Sequence, residues 1–306
     1  MKKINLLIIV LIFICLINTS IIRSSTTYSL NIFINSIFLT SFPFLILSHI
    51  YVHLNIVPSK LISNIFSYIL NINPSSFNII FLSMLCGYPS SAVYIKEYLN
   101  NKNISIEEST KLLICASFPN PMFVIGTIGT SLFKSSSTAL VLLIISYISN
   151  LLIGILIRNK YPKYIKNYET ISNNENMPLI IKNSIISSIN TLLLILGNIT
   201  IFIIILNLIM HYFVDIHLLK IIISMSLEMT SSIILINNTI TNSVLKYALI
   251  SFAINFGGIS ILSQVLSILS NYNINKKEII TYRLLVSLVS FLLTIIYFSI
   301  KFFVII

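Results

Sequence analysis

Apolar runs long enough to cross a bilayer recur along this 306-residue sequence, divided by short polar stretches. A spanning helix needs about 20 such residues. The pattern predicts spans at about 4 to 22, 28 to 52 and 137 to 158. After a polar loop it predicts a helix at about 180 to 212, a span at about 216 to 237 and a last span at about 280 to 302. Residues 61 to 72 are too short to span and read as re-entrant or interfacial. The helix from 180 exceeds one straight span. Its first part, with Lys182 and Asn183 among isoleucines and serines, reads as lying along the interface. Pro43 is expected to kink the second span, because it removes a backbone donor in mid-helix.

Other elements are interrupted. A span beginning near 75 breaks at Cys86-Gly87-Tyr88-Pro89-Ser90-Ser91-Ala92. Ser105, with Glu108 three residues on, signals a helix start. That helix breaks at Pro119-Asn120-Pro121 and resumes from Met122 to Phe133. In the second half, residues 243 to 270 break at Gly257-Gly258. The halves echo each other. Gly87 to Ala92 corresponds to Glu228 to Ile233, and the stretch with Ser117, Phe118 and Asn120 corresponds to that with Ser251, Phe252 and Asn255. The expectation is an all-α polytopic membrane protein of about eight transmembrane segments. Its broken or re-entrant helices form two inverted repeats within a single membrane domain, 1–306. Residues 1–158 are one half, 159–178 a cytoplasmic loop and 179–306 the other half.

Composition agrees with membrane insertion. Apolar residues make up 56% and charged residues 9%, where a soluble domain carries about 25% charge. The net charge of +11 does not point to nucleic acid, because the bases lie between apolar runs and not on a patch. Arg158, Lys160, Lys163 and Lys166 mark a cytoplasmic loop, and Lys276, Lys277 and Arg283 hold the start of the last span on that side. Lys2 and Lys3 put the amino terminus in the cytoplasm, ahead of an uncleaved first span. Cys15, Cys86 and Cys115 form no metal or disulfide pattern and read as small buried residues. The four histidines sit at span ends without ligand spacing and read as interfacial. Lys96, Glu97, Glu107 and Glu108 read as a solvated charged loop. No nucleophile elbow, phosphate loop or dinucleotide signature occurs, so neither an enzyme nor a cofactor is expected.

Candidate chemistry gathers at the breaks. A free backbone group at membrane depth is costly, so a break survives only in protein interior or beside a water-filled cavity, where it can bind a polar solute or ion. The residues selected on this basis are Gly87, Tyr88, Pro89, Ser90, Ser91, Ser117, Asn120, Glu228, Thr230, Asn255, Gly257, Gly258, Ser260 and Gln264. Glu228 is the sharpest, an ionisable group within an apolar span. It reads as a proton acceptor, a sodium ligand or a solute's hydrogen-bond partner, or else as a protonated acid bonded to a neighbouring helix.

Four segments carry a family resemblance: Gly87 to Ala92, Asn120 to Gly129, Leu227 to Thr230, and Phe256 through Gln264. Together they resemble the YlbJ family of sporulation integral membrane proteins, over about residues 40 to 300. That family carries a nucleoside-recognition or Gate domain related to concentrative nucleoside transporters and to the membrane part of the FeoB iron transporter. The sequence departs from the family pattern of glycine-alanine-lysine after the proline, where Ser91 stands for the glycine and Val93 for the lysine. The resemblance implies a role in sporulation. It implies binding or movement of a small polar solute such as a nucleoside, within membrane lipid. The alternative is a non-transporting scaffold that assembles with other sporulation membrane proteins, using the 159–178 loop as its contact surface.

Overall fold

The structure, a computed structural model, describes residues 2–54, 59–161, 176–213 and 216–304. All regular structure among them is helical. Helix α1 (Lys2–Ile17) leads at Asn18 into one helix running from Thr19 to His53. That helix comprises α2 (Thr19–Ile32), a π-helical turn (Phe33–Phe38) and α3 (Leu39–His53). The boundary expected at 22–28 therefore lies at Asn18. The polar run after it is helical because it has partners on α9 (Met177–Phe213). Ser29 and Thr200 hydroxyls bond at 2.9 Å, Asn207 donates to Ser25 at 2.8 Å, and Tyr212 donates to Asn18 at 2.6 Å. Such side-chain bonds are a recognised adhesive between membrane helices. Pro43 lies within α3, one turn after the π-helical turn.

The short stretch expected to be re-entrant is α4 (Lys60–Leu70). Asn71 ends it in the left-handed region at φ 53°. The chain then bends by 103° into α5 (Phe77–Cys86). Two buried charges hold this hairpin to α7 (Ile106–Cys115). Glu108 accepts from the Asn73 amide at 2.9 Å and the Ser76 hydroxyl at 2.7 Å. Lys111 donates to the carbonyls of Asn71 at 2.9 Å and Arg158 at 2.7 Å. This corrects the reading of Glu108 as solvated: it is 1% exposed, because the hairpin folds over it. Lys96 and Glu97 lie on α6 (Ser90–Asn100), half-buried, and not in a loop. Ser105 caps α7 as expected, accepting from the Glu108 amide at 3.1 Å.

The clean span is α8 (Ser136–Leu156). Of the loop that follows, residues 162–175 lie outside the described residues. The interface-lying segment expected at the start of α9 is part of one unbroken 37-residue helix. Two broken elements come next: α10 (His217–Leu227) with α11 (Met229–Thr239), and α12 (Ser243–Phe256) with α13 (Gly258–Ile268). Helix α14 (Lys276–Val304) closes the chain. Among the described residues five helices are long and apolar enough to span, the α12–α13 element taken as one, or six if the bent hairpin counts as one. The remaining elements expected in a count of about eight are shorter: α1, of 16 residues, and the interrupted ones. The chain is thus a polytopic α-helical membrane protein.

The two largest of four buried apolar clusters among the described residues carry most of the interior. One joins Leu70, Tyr94, Leu112 and Phe118 to Leu262 of α13. The other joins Val124, Leu142 and Phe298 to Ile233 and Ile254. Each contains residues from both halves of the sequence, so the halves pack as one body.

Candidate functional site

The breaks meet in pairs, one pair in each half. Gly87 has φ +71° and lies against the Asn120 backbone so closely that a Cβ there would sit 2.3 Å from the Asn120 nitrogen. The Tyr88 amide donates to the Phe118 carbonyl at 2.8 Å, closing the same contact. In the second half Gly258 has φ +70°, and its Cβ would lie 2.8 Å from the Leu227 carbonyl oxygen and 3.1 Å from the Glu228 nitrogen. Only glycine meets both demands at these two positions.

Each glycine presses on a capping residue. Asn120 Oδ1 accepts from the amides of Met122 at 2.9 Å and Phe123 at 3.3 Å, starting a π-helical segment, Phe123–Leu132. Glu228 Oε1 accepts from the Thr230 amide at 3.0 Å and Oε2 from the Ser231 amide at 2.7 Å. Glu228 is therefore the N-cap of α11, at φ −144°, and α10 ends at Leu227. Both carboxylate oxygens are spent on amides that would otherwise lack partners. That accounts for a carboxylate inside an apolar run.

The breaks surround a cavity of ≈ 60 Å³. It is lined by Tyr88, Pro89, Ser90, Asn120, Glu228, Thr230, Ser260 and Gln264, all selected from the sequence. Its apolar walls include Phe123, Met229 and Ile261. The N-terminal ends of α6, the π-helical segment, α11 and α13 all contribute to the lining. Ser260 and Gln264, one turn apart on α13, are 1% and 2% exposed. The Ser260 hydroxyl has no hydrogen-bond partner among the described residues. A buried hydroxyl without a partner is costly, and facing a cavity it is available to a bound molecule.

The other selected residues stand outside this lining. Gly87, Gly257 and Gly258 shape the backbone behind it. Ser117, just past the end of α7, donates to the Leu113 carbonyl, and the Ser91 hydroxyl is buried without a partner among the described residues. Asn255 belongs to a separate polar knot. Its Nδ2 donates to the Ser146 hydroxyl and to the Ser251 carbonyl, each at 2.9 Å, and Asn150 Nδ2 donates to its Oδ1 at 3.3 Å.

Three kinds of residue were missed. Arg283, expected to anchor topology, is 2% exposed. It donates to the Asn255 carbonyl at 3.2 Å, and its guanidinium carbon lies 5.0 Å from the Tyr88 ring centroid. It turns inward because the break at Gly257 leaves room and a free carbonyl beside α14. His49, read as interfacial, is buried beside Tyr94, the ring centroids 6.1 Å apart. Ser41 lines the cavity and accepts from Asn120 Nδ2 at 2.7 Å. A serine two residues before Pro43 in an apolar run was the available signal. Cys86 and Cys115 are buried as expected, and Cys15 is half-buried.

Over 93% of its length the chain is similar to the sporulation integral membrane protein YlbJ of Bacillus subtilis (strain 168), with 25% identity across 81% of that protein. No family model and no solved structure matches it. The similarity supports the YlbJ-family resemblance carried by the helix breaks.

Proposed function

We propose that this protein binds a small polar solute in the cavity where the helix breaks meet and moves it across a membrane during sporulation. Its role is that of a transporter-like protein with a Gate-type core, not an enzyme. The observation that carries this reading is the convergence of both halves' breaks on one cavity holding the unpartnered Ser260 hydroxyl beside Gln264. The lining offers hydroxyls, amides and four helix N-termini, which suit a solute bearing acceptor atoms. Glu228, tied to α11, shapes that end of the cavity. The paired glycine and cap in each half fit two repeats of inverted topology, and the sporulation assignment rests on the relative. The lysine pattern puts the amino terminus on the cytoplasmic side.

Size narrows the solute. A cavity of ≈ 60 Å³ holds a few waters or one very small molecule. Pockets for drug-sized ligands measure roughly 300–1,000 Å³. A nucleoside therefore requires the breaks to part, whereas a smaller solute needs little rearrangement. Uptake into liposomes of a panel running from small polar molecules to nucleosides tests this. The expected result is uptake of at least one panel member, reduced tenfold or more in Ser260→Ala and Gln264→Ala. Uptake indifferent to both changes, or absent throughout, contradicts the reading. A scaffold would show no uptake but would lose its assemblies when residues 159–178 are deleted.

A further inference from the structure

The helix Thr19–His53 presents polar side chains on two faces. Ser25 and Ser29 are buried and bonded to α9. Ser20, Arg23, Ser24, Thr27, Tyr28 and Asn31 are exposed and line one open groove. Their spacing of three and four residues puts them on one side of α2. Many outward positions elsewhere on the long helices are apolar, such as Leu47, Leu193 and Leu292. Those suit lipid, whereas a guanidinium among hydroxyls does not.

The same helix also reaches the central cavity. Ile37 of the π-helical turn, and Ser41 and Leu45 beyond it, line the central cavity. Tyr28, in the groove, lies within electrostatic reach of Glu228, which lines the cavity. Groove and cavity thus approach Glu228 from two sides. π-Helical turns recur at functional sites, and here one lies where the helix passes from groove to cavity.

We propose that the exposed polar face of α2 lines a water-filled vestibule leading to the cavity at Glu228, with Arg23 giving it a positive potential. The vestibule extends the solute-binding reading, but water entry can be measured with no solute present, so the two fail separately.

Cysteine accessibility tests it. In full-length protein in sealed vesicles, Cys15→Ser removes the half-buried thiol, and the background from Cys86 and Cys115 is measured on that parent. Ser24→Cys and Thr27→Cys are compared with Leu47→Cys and Leu193→Cys, using a charged, membrane-impermeant methanethiosulfonate. A thiol needs water to react as thiolate. The groove positions are expected to react at least tenfold faster than the apolar ones. Arg23→Gln should slow the negatively charged reagent severalfold and not the positively charged one. Groove rates equal to the controls would overturn the proposal, as would disulfide-linked dimers of Ser24→Cys, which would place a second copy on this face. Should the cysteine variants fail to fold, hydroxyl-radical labelling of the unaltered chain decides. Modification of Tyr28 with protection of Phe44 supports the vestibule, and protection of both refutes it.

Discussion

Tyr88 donates its hydroxyl to the carbonyl oxygen of Ile254 at 2.6 Å, joining a break in the first half of the chain to the last turn before a break in the second. The same hydroxyl lies 3.0 Å from the Met229 sulfur, and the ring lies beneath the Arg283 guanidinium. One side chain thus ties Gly87, Glu228 and Gly257 into a single arrangement. Tyr88→Phe keeps the ring and leaves the Ile254 carbonyl without this donor. Unfolding of purified protein should show a loss of about 1–3 kcal/mol. An unchanged midpoint would mean that the bond adds nothing to the closed arrangement.

The ring and the guanidinium should be coupled. In a double-mutant cycle with Tyr88→Leu and Arg283→Gln, the interaction energy should reach about 0.5–2 kcal/mol in favour of the native pair. Additive losses would show that the two only happen to be near each other.

The glycines separate into two classes. Gly87→Ala and Gly258→Ala put a Cβ into neighbouring backbone and strain a positive φ, so each should destabilise by more than about 1 kcal/mol or abolish expression. Gly197→Ala meets open space within α9 and should stabilise by up to about 1 kcal/mol. Thermal midpoints of the three variants would settle it, and equal effects would remove the close-packing argument.

Removal of the Glu228 cap should be measurable without any solute. Glu228→Ala frees two amides at the start of α11 and should cost about 1–2 kcal/mol, while Glu228→Asp, a favoured cap, should cost less. If alanine and aspartate behave alike, the carboxylate does not act chiefly as a cap.

Alkaline pH should loosen one peripheral contact. Past the end of α8, Lys160 pairs with Glu278 of α14 at 3.1 Å, and the Tyr161 hydroxyl donates to the same carboxylate. Hydrogen bonding to Glu278 raises the Lys160 pKa, and burial followed by that carboxylate raises that of Tyr161. Both groups are raised, so their contribution is complete below the ordinary values of about 10 and is lost as pH climbs through the folded ones. The midpoint difference between wild type and Glu278→Gln should be constant at neutral pH and shrink above about pH 10. A difference that grows there would reverse the sign.

The breaks were legible in the sequence because glycine and proline punctuate a helix by their own stereochemistry, as Gly87, Pro121 and Gly257 do. The sides taken by charges were not. Arg283 near the start of a span reads the same whether it reaches for water or turns inward, and only the free carbonyl of Asn255 decides. Glu108 likewise resembles part of a solvated loop until a hairpin folds over it. The pressing of Gly87 on Asn120 and of Gly258 on Glu228 depends on which helices cross, and local pattern carries no trace of that. The polar run after Asn18 looked like a connection because its partners, Thr200, Asn207 and Tyr212, lie far along the chain.

Thr19–His53 and α9 are both continuous over 35 and 37 residues, although every other element lining the cavity is interrupted. At 1.5 Å per residue each is about 50–55 Å long, well beyond a hydrocarbon core of about 30 Å. Hydroxyl and amide rungs fasten one to the other from Asn18 to Ser29. The molecule therefore pairs a stiff mast with a set of jointed arms. Were the breaks to part, the mast would supply one wall that need not move.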